Sequence, residues 1–385
     1  MPIVLRASKL FDGTKLRDDP VVTLDGERIA AVEFGVTPPP DAVDLTGATL
    51  LPGLVDAHVH LAFDAGKDPV GALAGRDDDE ALDAMRTAAR NALRGAVTTV
   101  RDLGDRNYLA LRLREEDGPL PTILAAGPPI TLPGGHCHYL GGGIEPTAEA
   151  MRAAVRERAE RGVDIIKIMA SGGTLTPGTR QEDSQFEVFQ LRAAVEEAHR
   201  LGLLVTAHVH ATKAIENAVE ARVDSLEHVS FWSAEGVDEP SPELLRTIVD
   251  RQIIVGATVG FLPIPGFSPP PAVVARIAGI AQNLRLLHGS GARMVLSSDA
   301  GIGVAKPHDT LRHSIVMVAG MGFAPAEALR LVTEAPAEAC GLGERKGRLA
   351  PGFDADVLAV DGDPLADPAA VHRIRAVYAC GAMIS

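Results

Sequence analysis

Eight short apolar runs, each followed by a stretch with helical spacing, fill the middle of this sequence. The runs are Leu54–His60, Thr98–Leu103, Thr122–Ala126, Ile165–Met169, Leu204–His208, Ser225–Val229, Ile253–Thr258 and Met294–Asp299. Each has the length of a buried parallel strand. Between them, apolar residues recur at three- and four-residue steps, as in Val188, Leu191, Val195 and Ala198, or Ile277, Ile280, Leu284 and Leu287. That spacing gives a helix one apolar face. Eight strand–helix units in one chain predict an α/β fold, a closed (β/α)8 TIM barrel, with an open doubly wound sheet as the alternative.

The 385 residues exceed the roughly 250 that a barrel needs. The excess lies at the ends. Ile3–Arg6, Val21–Leu24, Arg28–Val32 and Val43–Leu45 read as short strands separated by Gly, Asp and Pro turns. Asp356–Val360 and Ile374–Ala379 read the same way, with Gly362-Asp363-Pro364 turning between them. The expected organisation is a small β-sandwich domain formed by both chain ends, residues 1–52 and 347–385, with the barrel over 53–346.

Polar residues recur at the C-terminal ends of the runs, where barrels carry their chemistry. The first run ends in His58-Val59-His60, and residues two apart on a strand share one face. The fourth contains Lys167, the fifth ends at His208, the sixth contains His228 and the eighth ends at Asp299. Singly, each has a plain explanation: a structural histidine, a snorkelling lysine, an aspartate capping a turn. Together they place costly polar groups at one end of five strands, and metal coordination offsets that cost for all of them. Histidine is the commonest metal ligand near neutral pH.

These motifs resemble those of the amidohydrolase superfamily, in its imidazolonepropionase-related, prolidase-like branch. Leu51-Pro52-Gly53-Leu54-Val55-Asp56-Ala57-His58-Val59-His60 resembles the opening metal motif. Ile166-Lys167-Ile168-Met169-Ala170-Ser171-Gly172-Gly173 resembles the carboxylated-lysine motif. Ala207-His208-Val209-His210, Ser225-Leu226-Glu227-His228 and Ser297-Ser298-Asp299-Ala300-Gly301 resemble the later histidine and aspartate motifs, and Gly347–Asp356 resembles the return into the small β-domain. The resemblance implies that His58, His60 and Asp299 hold one divalent metal and His208 and His228 a second. Lys167, carboxylated on its amine by carbon dioxide, bridges the two. Zinc is the expected metal. The implied reaction is hydrolysis of an amide or peptide C–N bond in a small substrate, a dipeptide or N-acyl amino acid, by a metal-bridging hydroxide. Asp299 shuttles the proton. The net positive charge left on such a centre favours a carboxylate-bearing substrate. A lactone, carbamate or phosphotriester is the alternative substrate on the same centre; a non-catalytic metal-binding homologue is the alternative of a different class.

Substrate contacts are expected from the loops. His136, followed by His138 and Tyr139, lies in the third loop, and His210 lies two residues beyond His208. The proline-rich seventh loop, residues 260–271, reads equally as a lid or as a packed connection. Glu182 and Asp183 are candidates to meet a cationic side chain. The net charge of −14 and the scarcity of aromatic residues argue against nucleic acid as a partner. No apolar stretch is long enough to cross a bilayer. Three cysteines without paired spacing (Cys137, Cys340 and Cys380) and the lack of a signal-peptide pattern lead to the expectation of a cytoplasmic protein. The Leu-rich helices suit a homo-oligomer.

Overall fold

The computed structural model describes residues 2–384. Eight parallel strands form the barrel wall: Leu54–Val59, Val97–Asp102, Thr122–Ala125, Ile165–Met169, Leu204–Ala211, Ser225–Trp232, Ile254–Ala257 and Met294–Leu296. The first three hydrogen-bond in order, and so do the last five. Two seams join these arcs. At one, Ile130 bridges Ile168, with the Ile130 amide donating to the Lys167 carbonyl at 2.8 Å. At the other, Val59 bridges Ala300, and the Asp299 amide donates to the His58 carbonyl at 2.8 Å. The buried Asp56 carboxylate tightens this second seam by accepting the Ser298 amide at 3.0 Å. This is a TIM-barrel-type α/β fold.

The connecting helices follow local signals. Asp77 and Glu80 form a capping box at the start of the helix Asp78–Arg94, whose Leu82, Met85, Ala89 and Leu93 are buried. In Val188–Arg200, Leu191, Val195 and Ala198 are buried as their spacing predicts. The helix Ile277–Gly289 departs from expectation: Leu284 and Leu287 pack, but Ile277 is exposed. Only the second half of its apolar stripe meets the barrel.

The two chain ends share one eight-stranded sheet. Its path runs Ala382–Met383, Ile374–Ala379, Val357–Asp361, Val43–Pro52, Ile3–Phe11, Pro20–Asp25 and Arg28–Phe34, with Leu16–Asp18 beside Ile3–Phe11. Val43–Pro52 is the joint: it pairs parallel with Ile3–Phe11 and antiparallel with Val357–Asp361. Leu5, Val22, Ile29, Leu50, Val357 and Tyr378 gather in a buried cluster separate from the barrel's. Lys346, itself buried, pairs with Asp354 at 3.0 Å and Asp356 at 2.6 Å where the chain re-enters this sheet. Among the described residues, no helix is long and apolar enough to cross a membrane.

Candidate metal centre

At the C-terminal end of the barrel, all six residues singled out as metal ligands converge. His58 and His60 point their Nε2 atoms at Asp299 Oδ1, at 3.6 and 3.4 Å. The His208 and His228 rings lie 4.5 Å apart between centroids, and His58 and His228 lie 5.0 Å apart. Lys167, on the fourth strand, is 0 % exposed, and its Nζ has no hydrogen-bond partner. Burial lowers its pKa to about 8 against the pull of Glu227 and Asp299.

Each imidazole is held by one nitrogen and left free at the other. His58 Nδ1 meets the Glu227 carboxylate at 3.0 Å, and His60 Nδ1 meets the Gly104 carbonyl at 3.2 Å. His208 Nε2 meets the Gly172 carbonyl at 3.2 Å, and His228 Nδ1 meets Thr258 Oγ1 at 2.8 Å. Carbonyls and carboxylates only accept, so the first three rings donate there and keep a lone pair on the other nitrogen. This is how a surrounding layer of partners prepares histidines for a metal. Burial lowers the pKa of His58 to about 4 and takes His208 and His228 well below the usual histidine value. These shifts favour the neutral form of His58, His208 and His228, the form that can ligate a metal. The donor set therefore fits a divalent cation: one cluster of His58, His60 and Asp299, and another of His208, His210 and His228, each has its ligand atoms within 4.8 Å of one another.

His210 lines the cavity above the centre and also joins the His208 and His228 cluster. Its ring stacks on His228 at 4.4 Å, and its Nδ1 is held by Ser230 Oγ at 2.8 Å. The backbone explains the crowding. His228, Val229 and Phe231 all take positive φ, and the pairing of the fifth and sixth strands shifts register between Val209 and Ala211. An irregularity of this kind re-aims side chains at a strand end.

Glu227 organises the floor beneath the centre, a role the sequence reading missed. Besides His58 it accepts from Arg101 Nη2 at 3.2 Å and Thr206 Oγ1 at 2.8 Å, wholly buried. Burial opposes its charge, yet the His58 hydrogen bond, with Arg101 and Lys167, holds its pKa at about 2. Gly256 makes room: a Cβ there would overlap the Glu227 carboxylate. The sequence signal was available, since an acidic residue inside an apolar strand must find donors.

A cavity of about 190 Å³ opens above the cluster. His136 lines it, its ring 4.7 Å from that of His208 and its Nδ1 on Thr176 Oγ1 at 3.1 Å. Gly173 permits this, because a Cβ there would strike the His136 ring. Gln181 and Lys306 also line the cavity, and neither was anticipated. Gln181 is 8 % exposed and its Oε1 has no partner. His138 is exposed and turns its Nδ1 to the Gly135 carbonyl, while the Tyr139 hydroxyl reaches Cys137 Sγ; neither residue lines the cavity. Asp183 is bound by Arg180 of its own loop, at 2.9 and 2.6 Å. The seventh loop leaves Phe261 and Phe267 exposed and sends neither to the cavity wall. A wider hollow of about 760 Å³ near Tyr108 and Arg158 shares no residue with the cluster.

Comparison with known proteins agrees with this geometry. The amidohydrolase family model matches residues 49–382. Ochratoxinase of Aspergillus niger is 28 % identical over 95 % of this chain and 82 % of its own. Imidazolonepropionase of Rubrobacter xylanophilus is 25 % identical over 88 % of this chain and 84 % of its own. The crystal structure of a prolidase complexed with N-methylphosphonate-L-proline superposes with a TM-score of 0.84 at 27 % identity, covering 100 % of this chain and 99 % of that one. The family generally uses a divalent metal centre. With strand-end histidines, an aspartate and a buried lysine gathered at the barrel mouth, the chain belongs to the amidohydrolase family and is a hydrolase of carbon–nitrogen bonds.

Proposed function

We propose that this metal-dependent amide hydrolase cleaves dipeptides or N-acyl amino acids at a two-metal centre bridged by carboxylated Lys167. In this reading His58, His60 and Asp299 hold one cation and His208 and His228 the other, with zinc the metal suited to so many imidazole donors. The observation that carries it is the Lys167 amine: fully buried, unpartnered, and on the strand beside His208. A buried lysine loses its proton readily, and the neutral amine adds carbon dioxide to become an anionic oxygen donor. The bound cations would polarise the scissile carbonyl and make water nucleophilic at neutral pH.

The protein's own groups supply the rest. Glu227 and the Gly104 carbonyl hold His58 and His60 in the tautomer that leaves Nε2 free. Asp299, just beyond the eighth strand and within 3.6 Å of both, takes the proton of the attacking water and returns it to the leaving amine. His136 and His210 border the place where the substrate carbonyl lies. The relatives called prolidase and ochratoxinase support a small substrate. The wider reading is a (β/α)8 barrel over 53–346 with a β-sandwich from residues 1–52 and 347–385, supported by the two bridged seams and the shared sheet. Exposed Phe267, Val274 and Ile277 support a homo-oligomer, and three free cysteines support a cytoplasmic setting.

The test is metal analysis of the purified protein with parallel assays on dipeptides, N-acyl amino acids, lactones, carbamates and phosphotriesters. Close to two metal equivalents per chain with the highest kcat/KM on peptides or N-acyl amino acids is expected. A protein active with one equivalent, or fastest on the esters, would overturn the reading.

A further inference from the structure

The loops after the fourth and eighth strands both line the cavity, and the eighth carries a cation to which no role has been given above. Lys306 lines the metal-site cavity. Its backbone is pinned in a tight turn: the Gly301 amide donates to the Lys306 carbonyl, and the Lys306 amide to that of Gly303, both at 2.8 Å. The ammonium donates to the Ser298 carbonyl at 2.7 Å and the Thr258 carbonyl at 3.2 Å. An ammonium has three donors. Two go to neutral carbonyls at the ends of the seventh and eighth strands, and the third is uncommitted. Burial lowers its pKa, while Asp299 and Asp56 act on it through space to hold the proton. A cation fixed in a cavity wall, with its contacts made to uncharged groups, is an unfilled half of an ion pair.

We infer that Lys306 is the seat for the substrate's carboxylate and so sets the enzyme's preference for free acids over neutral amides. This deepens the peptide-hydrolase reading and rests on it. The carboxylate would complete the third hydrogen bond of the ammonium and neutralise a charge that the protein leaves without a bonded counter-ion. Charge-assisted bonds of this kind are the stronger ones in a dry site. The neighbouring wall of Phe63, Leu175 and Ile302 is apolar and suits the side chain of the residue bearing that carboxylate.

The test uses the metal-loaded enzyme and three variants: Lys306→Gln, which keeps a donor for the two carbonyls without the charge; Lys306→Met, which keeps neither; and Lys306→Arg, which keeps the charge. Metal content and melting temperature report on folding. With L-alanyl-L-leucine against its C-terminal amide, the acid-to-amide ratio of kcat/KM should fall about 10- to 100-fold in Lys306→Gln and Lys306→Met. Lys306→Arg should retain part of it. An equal fall on both substrates would mean a structural role and overturn the proposal. Calorimetric binding of L-leucine against L-leucinamide gives a reading that needs no turnover. If dipeptides are not cleaved but wild type prefers leucine and Lys306→Gln does not, the peptidase reading fails and the carboxylate seat stands. If wild type binds both alike, the seat is overturned even where dipeptides are cleaved.

Discussion

Replacing Glu227 by Gln changes one oxygen for a nitrogen, yet no orientation of the amide satisfies its neighbours. One carboxylate oxygen accepts from His58 and the other from Arg101 and Thr206. If the Gln oxygen faces His58, its NH2 faces a guanidinium whose side chain is 3 % exposed, and a buried cation loses its counter-charge. Losing one partner of a buried pair costs about 3–5 kcal/mol. Arg101 keeps its bond to the Ala57 carbonyl at 2.7 Å, so the lower end, about 3 kcal/mol, is expected. If instead the oxygen faces Arg101, the NH2 donates to His58 Nδ1. The ring then carries its proton on Nε2, the atom facing Asp299, and can no longer ligate. Changes in such supporting partners typically cost 10- to 100-fold in metal affinity, about 1.4–2.7 kcal/mol. Chelator competition measures the affinity, and urea unfolding of the metal-free protein measures the stability. The double variant Glu227→Gln/Arg101→Met removes the stranded cation. It should regain part of the stability and, because the amide oxygen is then free to accept from His58, part of the metal affinity as well. A single variant with wild-type affinity and stability would refute the tautomer argument.

Three other outcomes are expected. Lys167→Ala should lose metal and activity together; full occupancy by metal analysis with full turnover would contradict a bridging role. Asp299→Asn should lower kcat by ~100-fold or more while changing substrate binding far less, as single-turnover and inhibitor-binding measurements can separate. The tilted, adjoining rings of His313 and His372, 4.4 Å apart, join a barrel helix to the C-terminal segment. Burial, with His313 and Arg312 nearby, lowers His372 to about 4. A depressed histidine pKa gives stability that is present above the unfolded value of about 6.5 and lost as pH falls toward 4. His372→Gln should flatten that part of the urea-midpoint profile; an unchanged slope would sink the assignment.

The barrel was legible because buried parallel strands leave a coarse mark, a short apolar run, and eight of them admit few alternatives. The clustered residues were legible because most lie on or just beyond a barrel strand, where side-chain alternation sets direction; His58 and His60 are the plainest case. Boundaries were less so. The eighth strand stops at Leu296, and Asp299 stands beyond it with a positive φ. The closeness of His210 to His208 and His228 was not legible for a related reason: a run of positive φ at the end of the sixth strand crowds the rings together, and no propensity announces it. Lys306 and Gln181 were missed because they lie in loops, where sequence carries no periodicity to say which side chains turn inward. His138 and Tyr139 stand off the cavity wall, since adjacency to His136 says nothing of direction in a turn with a left-handed residue at Cys137.

The residues that prepare the centre lie inside the very runs that mark the strands. Asp56, Asp102 and Glu227 are each wholly buried, a placement that apolar patterning should forbid. Each accepts from donors that also fix a feature of the site. Asp56 receives the Ser298 amide, one residue before Asp299. Asp102 receives the Leu61 and Gly104 amides at 2.7 and 2.9 Å, and so sets the carbonyl that orients His60. Glu227 receives His58 itself. Replacing such a carboxylate strands its donors and shifts a ligand in one event, so stability and metal affinity should be lost together across this layer. At Lys306 the two separate, because its charge faces the cavity while its carbonyl contacts can be kept by a neutral donor. That difference in coupling tells a group that builds the site from one that reads the substrate.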